Sequence, residues 1–201
     1  MTIDTAAWPK GRSGSRLAIA LHGRGSNEQG LAWLADVLPA DLDLACLRAP
    51  IPLDGGWTWF ENRGLARPQE ESMKQTVADI LAWLDANASG YDQVSVIGMS
   101  AGTVTGGAVL MSAPERFASA VLFSGALPWD CGLDDSPGRF AGLRLLWSID
   151  PNDGVMPQEL VARSEAWLVE QSGADLTMEH PEGVGHAISP EMARSAATFL
   201  S

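Results

Sequence analysis

Short runs rich in Val, Ile and Leu alternate along this chain with segments whose apolar residues recur at helical spacing. Unbroken apolar strands need cover on both faces, and parallel neighbours need a crossover, usually a helix, to join them. The expected architecture is therefore α/β, a mostly parallel central sheet with helices on both faces. Strands are expected over residues 16–21, 42–48, 93–97, 120–124, 143–148 and 175–180, with 93–97 central because of its Val and Ile content. One helix is expected to carry Leu31, Leu34 and Leu38 and to stop at Pro39; others are expected over 72–85, 101–112, 158–171 and 190–200. Ser72 and Gln75 offer a capping box, with Met73, Val77, Ile80, Leu81 and Leu84 as the buried stripe behind it. Pro157 suits a first helical turn and Ser189 suits a cap. Residues 51–68 read as one long loop, and no insertion is long enough for a separate helical lid.

Composition narrows the function classes. A chain of 201 residues suits a single domain, 1–201, and 46% hydrophobic residues are too many for a disordered chain. Against 25 Asp+Glu stand 13 Lys+Arg, a net charge of −12, so nucleic acid and anionic membrane surfaces are poor partners. No apolar run approaches the roughly 20 residues that span a bilayer, and residues 1–16 lack the pattern of a signal peptide. Cys46 and Cys131 form no metal-binding pattern and read as free thiols, which fits a reducing, cytoplasmic setting.

Gly98-Met99-Ser100-Ala101-Gly102 matches G-x-S-x-G at a strand-to-helix junction. Such a turn strains the central residue, and side chains two positions away on either side would clash, hence the two glycines. Ser100 is thereby lifted clear of the sheet at a helix N-terminus, which suits a developing oxyanion. The competing readings are a capping serine and a phosphate-binding loop. A Walker loop needs a Lys-Ser/Thr pair absent here, and no G-x-G-x-x-G opens the first turn.

A serine nucleophile needs a base, and the chain has three histidines: His22, His180 and His186. His22 follows the first strand, and His180 ends an apolar-patterned strand. His186 lies in Gly183-Val184-Gly185-His186-Ala187-Ile188, after the last strand, where the order Ser…Asp…His requires the base. For the carboxylate, Asp150 and Asp153 compete in the loop after residue 148, and spacing favours Asp153 only slightly. Asp130, Asp134 and Asp135 form an alternative in a more polar loop. The oxyanion donors are expected to be the main-chain N–H groups of Ala101 and of Arg24, in His22-Gly23-Arg24-Gly25, where Gly23 lets backbone approach substrate. A plain βα turn is the bland alternative for that loop.

Together these motifs, with Ser26-Asn27-Glu28, Arg48-Ala49-Pro50, Gly55-Gly56-Trp57-Thr58-Trp59-Phe60, Asp153-Gly154-Val155-Met156-Pro157 and Gly185-His186, are arranged in an order that resembles the phospholipase/carboxylesterase family of small α/β-hydrolases. That family includes bacterial serine esterases and acyl-protein thioesterases, and the resemblance runs from about Leu17 to Leu200. It implies a minimal α/β-hydrolase fold without a lid, and it raises Asp153 above Asp150 as the acid. It implies two-step acyl transfer by Ser100, His186 and Asp153 on a small-molecule ester, with no metal or organic cofactor, and leaves a homodimer open. Two positions depart from the family: Ala101 stands where many members have Gln, and Asp150 where Gly is usual.

Trp57, Trp59 and Phe60 are candidate pocket walls or, equally, a satellite core under their loop. Met99, Trp129, Met156 and Ile188 are further wall candidates because each adjoins a catalytic loop. The expected site is open and suited to small, short-acyl esters. A thioesterase or lysophospholipase would use the same groups; an acyltransferase or a binding module with a vestigial site are the readings from other classes.

Overall fold

The computed structural model describes residues 3, 5–9, 12 and 14–201. Part of the segment read above for a secretion signal lies outside them. In chain order the strands before the first long helix are β1 (Ala6–Ala7), β2 (Arg16–Leu21), β3 (Leu42–Leu47), β4 (Ile51–Leu53), β5 (Gly56–Thr58), β6 (Asn62–Gly64) and β7 (Arg67–Pro68). There follow α1 (Glu70–Asn87), β8 (Gln93–Met99), α2 (Ala101–Ser112), β9 (Ser119–Phe123), β10 (Arg144–Ser148), α3 (Gln158–Glu170), β11 (Asp175–Glu179) and α4 (Pro190–Phe199).

The main sheet has the order β1-β3-β2-β8-β9-β10-β11, with β8 at its centre. All its pairings are parallel except that of β1 with β3. Alternate residues of each strand face opposite sides. Leu17, Ile19 and Leu21 of β2 join α1, α2 and α3 in one core, whereas Ala18 and Ala20 join α4 and the short helix near Leu34 in another. Helices thus cover both faces, as the unbroken apolar strands demand. No helix of the described residues is long and apolar enough to cross a membrane.

Chain direction across the sheet reverses between β2 and β8. The loops that leave their carboxyl ends diverge there and open a crevice, the usual place for a site in such sheets. α2 is pressed into the molecule behind it: every residue but Ser112 is buried. A helix apolar on all sides belongs in an interior, and its glycines permit the approach. A Cβ on Gly102 would sit 1.8 Å from the Leu21 carbonyl oxygen, and one on Gly106 would meet the Leu122 side chain at 3.2 Å.

Four details differ from the sequence reading. The helix expected around Leu31–Leu38 is a single 3-10 segment, Ala32–Asp36, although Leu31, Leu34 and Leu38 are all buried as supposed. Gly30 and Pro39 bracket too short a run for more than that. The helix α1 starts two residues early, at Glu70, so Ser72 is no cap; its Oγ accepts the Glu61 N–H at 2.9 Å. Glu70 and Glu71 instead complement the positive end of the helix. Trp83 rather than Leu81 completes the buried stripe. The supposed long loop, residues 51–68, folds as two small antiparallel hairpins, β4–β5 around Asp54-Gly55 and β6–β7. Ser189 does cap α4, accepting the Met192 N–H at 3.2 Å.

Two expectations follow. Because the atom facing Gly102 is backbone and cannot swing away, Gly102→Ala should cost about 3 kcal/mol or more, read as a lowered urea midpoint with an unchanged slope. Burial pushes the Cys46 thiol up to about 12 and the Cys131 thiol up to about 11. A thiol reagent at pH 8 should therefore find neither cysteine in the native protein and both after denaturation.

Candidate active site

Between β8 and α2 the chain turns at Ser100, whose backbone is held at φ 57° and ψ −116°. A non-glycine residue rarely occupies that region. The surrounding bonds over-determine it. The Ser100 N–H donates to the Phe123 carbonyl at 3.1 Å, and the Ser100 carbonyl accepts from Thr103 and Val104 N–H groups at 2.9 and 3.1 Å. Thr103 Oγ1 donates to the same Phe123 carbonyl at 2.6 Å, tying the first turn of α2 to β9. A Cβ on Gly98 would lie 2.6 Å from the Gly102 carbonyl oxygen, so both flanking glycines are sterically required.

His186 sits in the loop between β11 and α4, where Gly183 and Gly185 adopt positive φ, 77° and 66°. Its ring bridges two distant side chains. Nε2 lies 2.8 Å from Ser100 Oγ and Nδ1 lies 2.7 Å from Asp153 Oδ2. A carboxylate only accepts, so Nδ1–H donates to Asp153 and Nε2 is left free to accept the Ser100 proton. The Asp153 side chain is fully buried. Its second oxygen, Oδ1, accepts from Val155 and Met156 N–H groups at 2.8 and 3.1 Å.

Asp150, the other carboxylate considered, is also buried but points elsewhere. Oδ2 accepts the Gly185 N–H at 2.7 Å and Oδ1 accepts the Asn152 N–H at 2.8 Å. These two main-chain donors hold its carboxyl below the usual range. The Ser124 hydroxyl donates to the Ala187 carbonyl at 3.0 Å, so the histidine loop is gripped one residue before and one after His186. Nothing in the spacing of Ser124 pointed to that contact.

The loop after β2 lies against Ser100. A Cβ on Gly23 would fall 3.5 Å from Ser100 Cβ. Gly25 and Ser26 N–H groups are engaged by Trp57 and Gly23 carbonyls at 2.8 and 3.2 Å. The Arg24 and Ala101 N–H groups have no acceptor among the described residues, and both residues line a cavity of about 30 Å³ with Ser100. Arg48 braces the same loop by a bidentate pair with Glu28, 2.6 and 2.5 Å. It also lies over the Trp57 ring at 5.0 Å.

The rest of the cavity wall is Phe60, Asn62, Leu65, Ala66 and Met156. Of the side chains singled out from sequence as walls, only Phe60 and Met156 line it. Trp59 is fully buried, and its Nε1 donates to the His22 carbonyl at 2.7 Å, so it supports the loop from beneath. Trp57 serves the same loop through its main chain. Met99 and Ile188 pack against the core on the α4 face, and Trp129 packs with Ser164 and Trp167. Asn62, Leu65 and Ala66 carry no signal in the sequence, because the second hairpin, which holds them, lies within the stretch that reads as one long loop. Asp130 pairs with Arg163 at 3.0 Å and Asp134 with Arg139 at 3.5 Å, both exposed and away from the cavity; Asp135 uses its carbonyl to hold the Trp167 indole at 2.9 Å.

The remaining histidines stand apart from this chain of bonds. His22 is buried, with Nδ1 2.7 Å from the Gly23 carbonyl and Nε2 accepting the Ala49 N–H at 3.1 Å. Burial lowers its pKa. His180 is exposed beside Glu165, at 2.9 Å.

Among curated proteins, none matches this chain in sequence. Solved structures do match in fold. A carboxylesterase from Bacillus cereus superposes with a TM-score of 0.84 at 22% identity, covering 97% of this chain and 92% of its own. One from Mesorhizobium loti gives 0.83 at 22%, covering 96% and 91%. Acyl-protein thioesterase 2 from Zea mays gives 0.77 at 22%, covering 98% and 96%. The phospholipase/carboxylesterase family model matches residues 7–201. The fold, the site at the sheet's carboxyl edge and that match agree: this chain belongs to the phospholipase/carboxylesterase family of α/β-hydrolases.

Proposed function

We propose that the protein is a serine carboxylesterase acting on small, short-acyl esters. The observation that carries the reading is the continuous hydrogen-bonded chain from Ser100 Oγ through the His186 ring to Asp153. In this reading His186 Nε2 takes the Ser100 proton as Oγ attacks the ester carbonyl. The new C–O bond places negative charge on the carbonyl oxygen, which the Arg24 and Ala101 N–H groups receive. Asp153 steadies the imidazolium and fixes its tautomer. His186 then protonates the leaving alkoxide as the ester C–O bond breaks, leaving an acyl-Ser100. Water, deprotonated by His186, attacks that acyl group, and Ser100 leaves with its proton restored.

The cavity size favours short acyl groups. About 30 Å³ is far below the roughly 300–1,000 Å³ that encloses a drug-sized ligand. The neighbours' thioesterase member makes a thioester the second substrate to try, since the same groups would cleave it. The decisive experiment is a p-nitrophenyl ester series of rising acyl length, with a thioester beside it. Wild type should turn over the shortest acyl chains fastest. Ser100→Ala and His186→Ala should each lose at least about 10³-fold in kcat. Absence of turnover on every ester by wild type would refute the proposal.

Asp150 is in this reading a positioning residue, since it grips Gly185 beside the base. Asp150→Asn should lower kcat roughly tenfold with little change in KM. Its folded carboxyl titrates below the ordinary value, so its stabilising contribution is complete above the unfolded value and fades as pH falls through the depressed folded one. Urea unfolding should therefore show wild type more stable than Asp150→Asn at pH 7. The difference should shrink as pH falls below the ordinary carboxylate range and vanish once the pH lies below the depressed folded value, where both forms of the site are neutral.

A further inference from the structure

Ten of the chain's eleven arginines engage an acidic side chain, a carbonyl or an aromatic ring. The exception is Arg24, which is exposed and whose guanidinium has no such partner among the described residues. In a chain with nearly twice as many acids as bases, an arginine side chain left uncommitted among the described residues stands out. Its position gives the explanation, because Arg24 lines the same small cavity as Ser100.

A second polar group in that cavity is also incomplete. Asn62 Oδ1 is buried and has no hydrogen-bond donor among the described residues. A buried acceptor left unpaired costs about 1–3 kcal/mol, a cost that a small shift of this wall on ligand entry would relieve. What enters must be short, since Phe60, Leu65, Ala66 and Met156 close the rest of the space with apolar surface. It must also bring an acceptor for a planar five-donor fork, and a carboxylate matches that fork with two parallel bonds.

We infer that the preferred substrates are monoesters of short dicarboxylic acids, whose free carboxylate is bound by the Arg24 guanidinium. This rests on the esterase reading above and adds to it a substrate class. The Arg24 main chain serves the oxyanion while its side chain selects the acyl group, so one residue couples the two tasks. The net charge of −12 sharpens the selection. The protein as a whole repels anions, so an anionic acyl group is favoured only where an uncommitted cation borders the site.

The test compares p-nitrophenyl glutarate monoester with p-nitrophenyl valerate, which replaces the terminal carboxylate by a methyl. Turnover by Ser100→Ala is subtracted as the blank, because the monoester also cleaves unaided. Wild type should show a kcat/KM ratio in favour of the glutarate ester that falls as salt is raised. Arg24→Met should lower that ratio roughly tenfold, the loss of one charge-assisted bond pair, and Arg24→Lys should keep most of it. Free glutarate should inhibit wild type competitively and Arg24→Met about tenfold more weakly. A ratio that is the same in all three proteins, or a loss in Arg24→Met that strikes both esters equally, overturns the inference while leaving the esterase reading intact. Failure of wild type to cleave either ester above the blank overturns both.

Discussion

The contact between Gly102 and the last carbonyls of β2 sets the geometry of the site. Leu21 and His22 present their carbonyl oxygens to the first turn of α2, and only a residue without Cβ fits between them. That approach fixes the height at which α2 begins, and therefore where Ser100 must turn. It also brings the loop after β2 alongside, because the same Leu21 and His22 lead directly into Gly23 and Arg24. The nucleophile candidate and both oxyanion-donor candidates are thus placed by one backbone-to-backbone contact. The strain at Ser100 is the local consequence. It persists because Phe123, Thr103 and Val104 hold the turn from three directions.

The histidine loop is placed by a different principle. It has no helix or strand of its own, and two of its glycines sit at positive φ. Its position comes from polar bonds to neighbouring loops: Gly185 to Asp150, Ala187 to Ser124, and the His186 ring to Asp153. Two of these anchors leave the same loop after β10, three residues apart. That loop therefore sets both the height of the imidazole and its orientation. The family's usual glycine at position 150 would offer no side chain to hold Gly185. In this chain part of the loop's support rests on a buried carboxylate.

Much of this was legible before any coordinates. The inner strands could be read because each is apolar on both faces, as a sheet covered on both sides requires, and the edge strand β11 because Leu176 and Met178 alternate with polar residues. Ser100 could be read because its flanking glycines are demanded by sterics that act within five residues. Asp153 was harder. Asp150 sits equally near in sequence and is equally buried, and only the direction of each side chain separates them. What stayed hidden depends on contacts distant in sequence. Trp59 looked like a pocket wall because aromatic residues suit both walls and cores, and its indole bond to the His22 carbonyl is not visible from either segment alone. The hairpin bearing Asn62, Leu65 and Ala66 has strands of two and three residues, too short for a two-residue period to emerge. Ser72 met the local rule for a cap, yet Gln69 adopts the extended cap conformation and the helix begins before it.

Of the three histidines that follow strand ends, His22 and His186 differ in what their partners permit. Both have both ring nitrogens occupied. His22 is held by a main-chain carbonyl on one side and a main-chain N–H on the other. Those partners fit only the neutral ring, because a second ring proton would face the Ala49 N–H. Burial pushes in the same direction and lowers the pKa. His186 is held by a carboxylate and a hydroxyl. The hydroxyl has a proton to give, and the carboxylate is stabilised further once the ring is positive. The neutral and charged rings therefore both find partners at His186, and only the neutral one does at His22. Residue type alone leaves the two alike; the ability to accept a proton without breaking a bond belongs to the partners, which the loops after β8 and β10 supply to the histidine after β11.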